Sequence, residues 1–387
     1  MFFVNENLKN IKLDGGIYDL YQKALYLESI GKRVVHMEIG RPDFYSPKLA
    51  NQAAIDAIKA GKVHYTAMSG IPELREAICN MEYEKNRIIA NPQNEIVVTC
   101  GACEALMSVM MATLTVGDAI LVPGPYFGAY ANMAAILGVD IIEVPCKASD
   151  DFILKADNLI SCYTDKVKII LLNTPNNPTG AIIKDEELKK IADFAKKKRL
   201  LVISDETYSQ FLYEGKHVSI STINSMKNQT VVISSASKVF SMTGWRIGYA
   251  ILPSDLMPYV NKVHENLSTC ATSFAQYGAA KAYKFEDNFT KNMVEEFKNR
   301  RDILFDSLSE CDNIRPVKPK GAFYMMVDIS KTGLSSKDFS DKLLDEKGIA
   351  VTPGTAFGNS GDGFIRISFG CSLDDINYAV KQIKEFI

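Results

Sequence analysis

The segment 234–249, SSASKVFSMTGWRIGY, gathers the side chains best suited to covalent chemistry. Lys238 stands among hydroxyls, with Ser235 and Ser237 just before it and Arg246 eight residues on. An amine at the end of a strand can act as a nucleophile, and serine hydroxyls beside an arginine can hold a phosphate. The same lysine could be a solvated charge in a surface loop. In VISDETY, 202–208, Asp205 closes an apolar run and Tyr208 follows three residues later. A carboxylate so placed is either a helix N-cap or a group facing a cleft. In LLNTPNNPTG, 171–180, an apolar run enters Asn173 and then the turn Asn177-Pro178-Thr179-Gly180. Asparagine in a turn usually bonds its own backbone, so Asn177 has chemistry only if its amide faces a ligand.

A fourth segment, VVTCGACEAL at 97–106, reads as strand, glycine turn and helix. Unpaired N–H groups at that helix start, after Gly101, together with its dipole, make an anion site. Cys100 and Cys103 also form a C-x-x-C, as redox dithiols of the thioredoxin kind do, in a chain far longer than that fold needs. Zinc has no second pair or spaced histidine to complete a site, and no metal is expected. His36, His217 and His264 show no metal spacing and read as structural. Arg366, in the apolar stretch 363–369, calls for a carboxylate partner, either a ligand or an internal acid. Tyr65, in HYTAMSG, is loop-borne and carries no chemical signal of its own.

These groups need elements to hold them. Apolar strands are expected at 95–99, 119–122, 140–144, 167–172, 200–204 and 230–234, with helices at 104–114, 126–137 and 186–198 between them. Val-, Ile- and Leu-rich strands with little alternation imply a sheet covered on both faces. Strand–helix–strand order implies right-handed parallel crossovers, hence an α/β layer fold with ligands beyond the carboxyl ends of the strands. After residue 286 the texture changes to a long charged helix, 287–310, strands at 322–327 and 364–369, and helices at 336–346 and 373–386. The expected organisation is an N-terminal arm and part of a small α+β domain at 1–45, a large α/β domain at 46–285 and a C-terminal small α+β domain at 286–387. The 387 residues carry 44 basic and 46 acidic side chains, which offers no footprint for nucleic acid. The longest apolar stretches, such as 105–116, are shorter than the ~20 residues that span a bilayer. No membrane association and no signal peptide are expected, and eight scattered cysteines fit the reducing cytoplasm.

In order and spacing these motifs resemble the fold-type I, pyridoxal-phosphate-dependent aminotransferases of class I/II, the aspartate and aromatic aminotransferase kind. The signals are the Gly-Ala-Cys turn, NNPTG, Asp-x-x-Tyr, Ser-x-Ser-Lys, GWRIGY and the Arg-Ile-Ser at Arg366, and the likeness runs from about residue 30 to the end. The resemblance implies pyridoxal 5'-phosphate held by Lys238 as a Schiff base, with Lys238 then moving the proton at the substrate Cα. It implies Asp205 on the pyridinium nitrogen, Asn177 and Tyr208 on the ring phenolate oxygen, and Phe127, or Tyr126 if the match slips by one, stacked on the ring. The phosphate would take the N–H groups of Ala102 and Cys103 after Gly101, the hydroxyls of Ser235 and Ser237, and Arg246. Tyr65 would cross a homodimer interface to the partner's phosphate. Arg366, with the backbone of Gly40 and with Asn177 and Ile17 nearby, would bind the substrate.

One branch of aspartate aminotransferases reads the distal carboxylate with a lysine directly after the phosphate-turn glycines; Cys103 stands there in this chain. The expected reaction moves an amino group between an L-amino acid with a neutral or aromatic side chain and a 2-oxo acid. The alternatives are a carbon–sulfur lyase or other chemistry on the same scaffold, and a non-catalytic protein that binds the cofactor.

Overall fold

The computed structural model describes residues 3–9, 11, 17–223, 226–285 and 287–387. Its strands are β1 (Val35–His36), β2 (Ile96–Thr99), β3 (Ala119–Gly124), β4 (Asp140–Pro145), β5 (Val167–Asn173), β6 (Leu201–Asp205), β7 (Thr230–Ser235), β8 (Gly248–Ile251), β9 (Arg315–Pro316), β10 (Tyr324–Asp328), β11 (Ile349–Ala350), β12 (Thr352–Pro353) and β13 (Phe364–Ser368). β2 to β8 form one sheet in the order β2-β8-β7-β6-β5-β3-β4. Period-two alternation divides its side chains between two buried faces. Ile169 and Leu171 pack with Ile120, Val122 and Ile203 on one face, and Ile170 and Leu172 with Leu121 and Val202 on the other. Helices Ala102–Thr113 and Ala129–Leu137 cover the first face through Leu106, Val109 and Tyr130; helix Asp185–Lys198 covers the second through Leu188, Ile191 and Ala195. Each such aliphatic side chain contributes about 1.5–3 kcal/mol on burial. The last helix also opens on Asp185, Glu186 and Glu187 and closes on three lysines, which complements its dipole.

The sheet is mostly parallel, as expected, with one exception. β8 is antiparallel to both neighbours, β2 and β7. The chain between β7 and β8 contains only the four-residue helix Ala236–Val239 and a short 3₁₀ turn, too little to carry it back for a parallel return. Two other boundaries move for local reasons. The helix expected from 126 begins at Ala129, because Pro125 and Gly128 precede it. The strand expected from 322 begins at Tyr324, because Ala322 takes a left-handed φ of 56°.

A second, antiparallel sheet runs β12-β13-β10-β9. Its core holds Phe297, Phe323, Ile365 and Ile367 and also Met37 from the N-terminal segment. β1 pairs in parallel with β11, so the stretch 35–40 is strapped to the C-terminal layer. Ser335 and Ser372 cap the helices Ser336–Lys347 and Leu373–Phe386 by accepting from the N–H groups of Asp338 and Asp375. Among the described residues no helix is long and apolar enough to cross a membrane.

Candidate active site

The carboxyl ends of β5, β6 and β7 lie side by side, with Asn173 opposite Asp205 in the pairing register. Apolar strands end there in polar residues, and the polar ends open on a cavity of about 1220 Å³. Lys238, Asp205, Tyr208, Asn177, Ser235 and Ser237 line it from this side. Ala102, Cys103, Tyr126, Phe127 and Arg246 line it from the helix side, Gly40 from the segment after β1, and Arg366 from β13 of the second sheet.

Lys238 is no surface charge. Its Nζ donates to the carbonyl of Gly40. Burial, with Arg366 and Arg246 nearby, lowers its pKa to about 8 against the opposing pull of Cys103 and Asp205. An amine so placed is partly neutral near physiological pH, which a nucleophile or a proton carrier requires. Asp205 is buried, and burial pushes its carboxyl up. Three donors oppose that: Tyr130 Oη at 2.6 Å on Oδ2, and Thr207 N at 3.1 Å and Oγ1 at 2.7 Å on Oδ1. Asp205 thus caps the following turn through one oxygen while its carboxylate still borders the cavity.

At the anion end, helix Ala102–Thr113 has Gly101 as its N-cap with no side-chain cap, so its first N–H groups are left for a ligand. Gly101 has φ +87°, and a Cβ there would lie 2.4 Å from Arg246 Nη2. A Cβ on Gly248 would lie 2.4 Å from the nitrogen of Ala102. Both glycines keep this cradle open. Arg246 is braced by the carbonyls of Thr243 at 3.0 Å and Cys100 at 3.2 Å. First-turn N–H groups, a guanidinium, two serine hydroxyls and a neighbouring amine suit a dianionic phosphate, and Asp205 suits a cationic ring nitrogen. The donor set therefore fits pyridoxal 5'-phosphate.

Arg366 is 2% exposed and lies between the rings of Tyr324 and Phe357, at 4.5 and 4.8 Å. Nη1 donates to Asn177 Oδ1 at 3.1 Å; Nη2 donates to Thr352 Oγ1 at 3.1 Å and to the carbonyl of Glu38. No carboxylate pairs with it among the described residues, and its Nε, fully buried, has no partner. A buried guanidinium that borders a cavity and has no internal carboxylate partner is a binding group for an anion. Asn177 thus directs its amide to Arg366 and not to its own turn. Tyr208 meets Tyr324, Oη to Oη at 2.7 Å.

Other expected residues stand apart from the cavity wall. Gly101 acts behind it, as the N-cap. Tyr65 is 85% exposed on the same stretch as the exposed Tyr45 and Met68. Ile17 opens helix Ile17–Ser29, and its side chain lies outside the described residues. Burial raises both thiols of the C-x-x-C, the opposite of the lowered pKa that a redox dithiol needs. His36, His217 and His264 each pair with a glutamate, Glu38, Glu206 and Glu104. Sequence reasoning missed Tyr130, Thr207, Tyr324 and Glu38. Thr207 alone had a local signal, the Asp-x-Thr spacing of a side-chain-capped turn.

Comparison with known proteins gives the same family from two directions. The family model described as aminotransferase class I and II matches residues 32–383. The chain is 38% identical over 359 residues to an aspartate aminotransferase of Pyrococcus abyssi, covering 92% of each. It is 35% identical over 357 residues to aromatic-amino-acid aminotransferase 2 of Thermococcus litoralis, again covering 92% of each. Among solved structures, it resembles the aspartate aminotransferase from Thermus thermophilus with maleate at a TM-score of 0.95, 31% identity and full coverage of both chains.

Proposed function

Because this chain belongs to the class I and II aminotransferases, and is therefore a transferase, we propose that it uses pyridoxal 5'-phosphate held at Lys238. The observation that carries this reading is one cavity bordered by a partly neutral amine, a buried carboxylate, an uncapped helix start with Arg246, and an Arg366 with no carboxylate partner among the described residues. Pyridoxal 5'-phosphate, when bound, supplies an electron-withdrawing ring that stabilises the electron pair left at Cα after its proton departs. Asp205 would keep the ring nitrogen protonated, a pairing of order 4 kcal/mol at ~4 Å and an effective dielectric near 20. Tyr130 and Thr207 hold that carboxylate in place. Asn177 and Tyr208 would border the ring oxygen, and Phe127, with Tyr126 beside it, the ring face. Ala102, Cys103, Ser235, Ser237 and Arg246 would take the phosphate. Arg366 would fix the substrate α-carboxylate beside Gly40 and Ile17, leaving the Lys238 amine to lift the proton from Cα and return it elsewhere.

The proposed amino donor has a neutral or aromatic side chain. Ile11, Ile39, Leu106, Ala131 and Ala135 supply apolar wall, and Cys103 stands where a carboxylate-reading lysine would be. Arg41 also lines the mouth, exposed, so turnover of aspartate against alanine, phenylalanine and methionine decides the point. A clear aspartate preference would reject the neutral reading. We place the enzyme in the cytoplasm as a homodimer. Its eight free thiols and the exposed aromatic stretch around Tyr45 and Tyr65 support that reading. The arm at 1–45 and the small domain at 286–387 would then draw in over the large domain at 46–285 when substrate binds. Titration of the holoenzyme with the twenty amino acids tests the whole reading. Conversion of the cofactor absorbance to the pyridoxamine form supports it. Release of ammonia and a 2-oxo acid without an acceptor identifies a lyase instead, and a coloured protein unchanged by every amino acid identifies a non-catalytic binder.

A further inference from the structure

We infer that His36 and Glu38 form a positioning pair for Arg366, and that the charge on His36 sets the affinity of the site for a substrate carboxylate. The inference rests on Arg366 being the carboxylate-binding group. Glu38 is fully buried and borders the cavity. Its main-chain carbonyl accepts from Arg366 Nη2 and, at 3.0 Å, from Thr352 Oγ1. Two residues on, the carbonyl of Gly40 accepts from Lys238. The strap 36–40 therefore touches both ends of the reaction.

The Glu38 side chain has a less ordinary arrangement. Oε1 is held by His36 Nδ1 at 2.7 Å, while Oε2 is buried with no partner. A half-satisfied buried carboxylate is costly unless a cation neutralises it. Two cations bear on it: His36, in direct contact when protonated, and Arg366, which does not touch the carboxylate but whose charged form, disfavoured by burial, the Glu38 charge favours. His36 Nε2 lies 3.3 Å from Glu28 Oε1, which is 42% exposed and gives the imidazole a route to solvent. The edge of Tyr21 also meets the ring, at 5.7 Å between centroids. The hydrogen bond to Glu38 and the charges of Glu38 and Glu28 raise the His36 pKa against the opposing effect of burial. Below that pKa the imidazolium neutralises Glu38, and Arg366 presents its full charge to the cavity. Above it, the buried Glu38 charge, which does not touch Arg366, offsets part of the positive potential that an incoming carboxylate meets there.

Linkage then makes a reciprocal demand. If protonation of His36 tightens carboxylate binding, carboxylate binding must raise the pKa of His36 by the same factor. The probe is 3-phenylpropionate, a carboxylate without an amino group, titrated into the holoenzyme by calorimetry at pH values across the imidazole range. The expected result is a Kd about fivefold tighter below the His36 transition, at the modest end of known couplings. The chain has four histidines, so the C2-proton signal of His36 is assignable as the one lost in His36→Gln. Saturating probe should move its titration midpoint up by about 0.7 of a pH unit, the logarithm of that ratio. His36→Gln keeps a hydrogen bond but no charge, and should show the weak Kd at every pH. Glu38→Gln removes the competing charge and should show the tight Kd at every pH. A merely structural pair would shift both variants the same way, or neither, and that result overturns the inference. Arg366→Lys separates the two levels. If it leaves the probe's Kd unchanged, the reading of Arg366 fails; if it abolishes binding while the His36 and Glu38 variants match wild type, only the pair fails.

Discussion

Replacing Arg366 by lysine keeps the positive charge and removes the planar fork, and the structure sets the size of the consequence. Of the five N–H donors of the guanidinium, three go to Asn177, Thr352 and the Glu38 carbonyl, Nε is buried without a partner, and the second Nη1 hydrogen is left over. A lysine ammonium has three donors at one point and cannot span acceptors that lie on different elements. The loss is one charge-assisted contact to the substrate carboxylate together with the bracing that aims it. Truncating one partner of a buried charged pair costs about 2–5 kcal/mol, and because lysine retains charge we take about 3. At 1.36 kcal/mol per decade, kcat/KM should fall about 150-fold for the amino acid and for the 2-oxo acid alike. Steady-state kinetics of both half-reactions measure it, with a urea melt to confirm that the variant is folded. A folded Arg366→Lys enzyme within about fivefold of wild type for both substrates would refute the assignment of Arg366 as the carboxylate clamp.

Three further outcomes are expected. In the cofactor-free protein the Lys238 amine, about 8 when folded and 10.5 as the ordinary value, binds fewer protons than in the unfolded chain between those pH values, so stability should rise with pH across that window. The Lys238 contribution is about 3 kcal/mol before solvent screening and on the order of 2 after it, and urea melts at pH 8 and pH 10 should show a correspondingly flatter pH dependence in Lys238→Met. Gly40→Ala places a Cβ 1.8 Å from Tyr324 Oη and should displace that ring from Tyr208, destabilising the protein by about 1–3 kcal/mol. The double variant with Tyr324→Phe should lose less than the sum of the two single changes, and strict additivity would rule out the clash. Cys100→Ser should keep activity within about twofold and remain insensitive to reductant, since a serine hydroxyl can keep the thiol's contacts with Glu104 and Ser268 and the carbonyl that braces Arg246 is unchanged. A large loss restored only by a dithiol would return the redox reading.

The architecture of the large sheet was legible because its signal is local. A strand buried on both faces needs an unbroken apolar run, and such runs, ending in Asn173, Asp205 and Ser235, mark the strand ends where ligands gather. Lys238 and Asn177 follow such ends within a few residues, and their place at the cavity is a consequence of that proximity; Gly101 follows the end of β2 and acts behind the wall. The antiparallel β8 was not legible, since nothing in four apolar residues states the direction of their neighbours. The sequence also left open whether Asp205 capped a turn or faced the cleft, and the fold has it do both.

By itself, then, the sequence determined where strands end and which reactive side chains stand at those ends, because both depend on residues a few positions apart. Only the tertiary structure decided the partners. Tyr130 meets Asp205 across 75 positions, and Arg366 meets the carbonyl of Glu38 across 328. Those contacts follow from strand order and from the strap that joins the N-terminal segment to the C-terminal layer. A buried polar group is satisfied by whatever the completed fold brings within 3 Å, and that is a property of the whole chain.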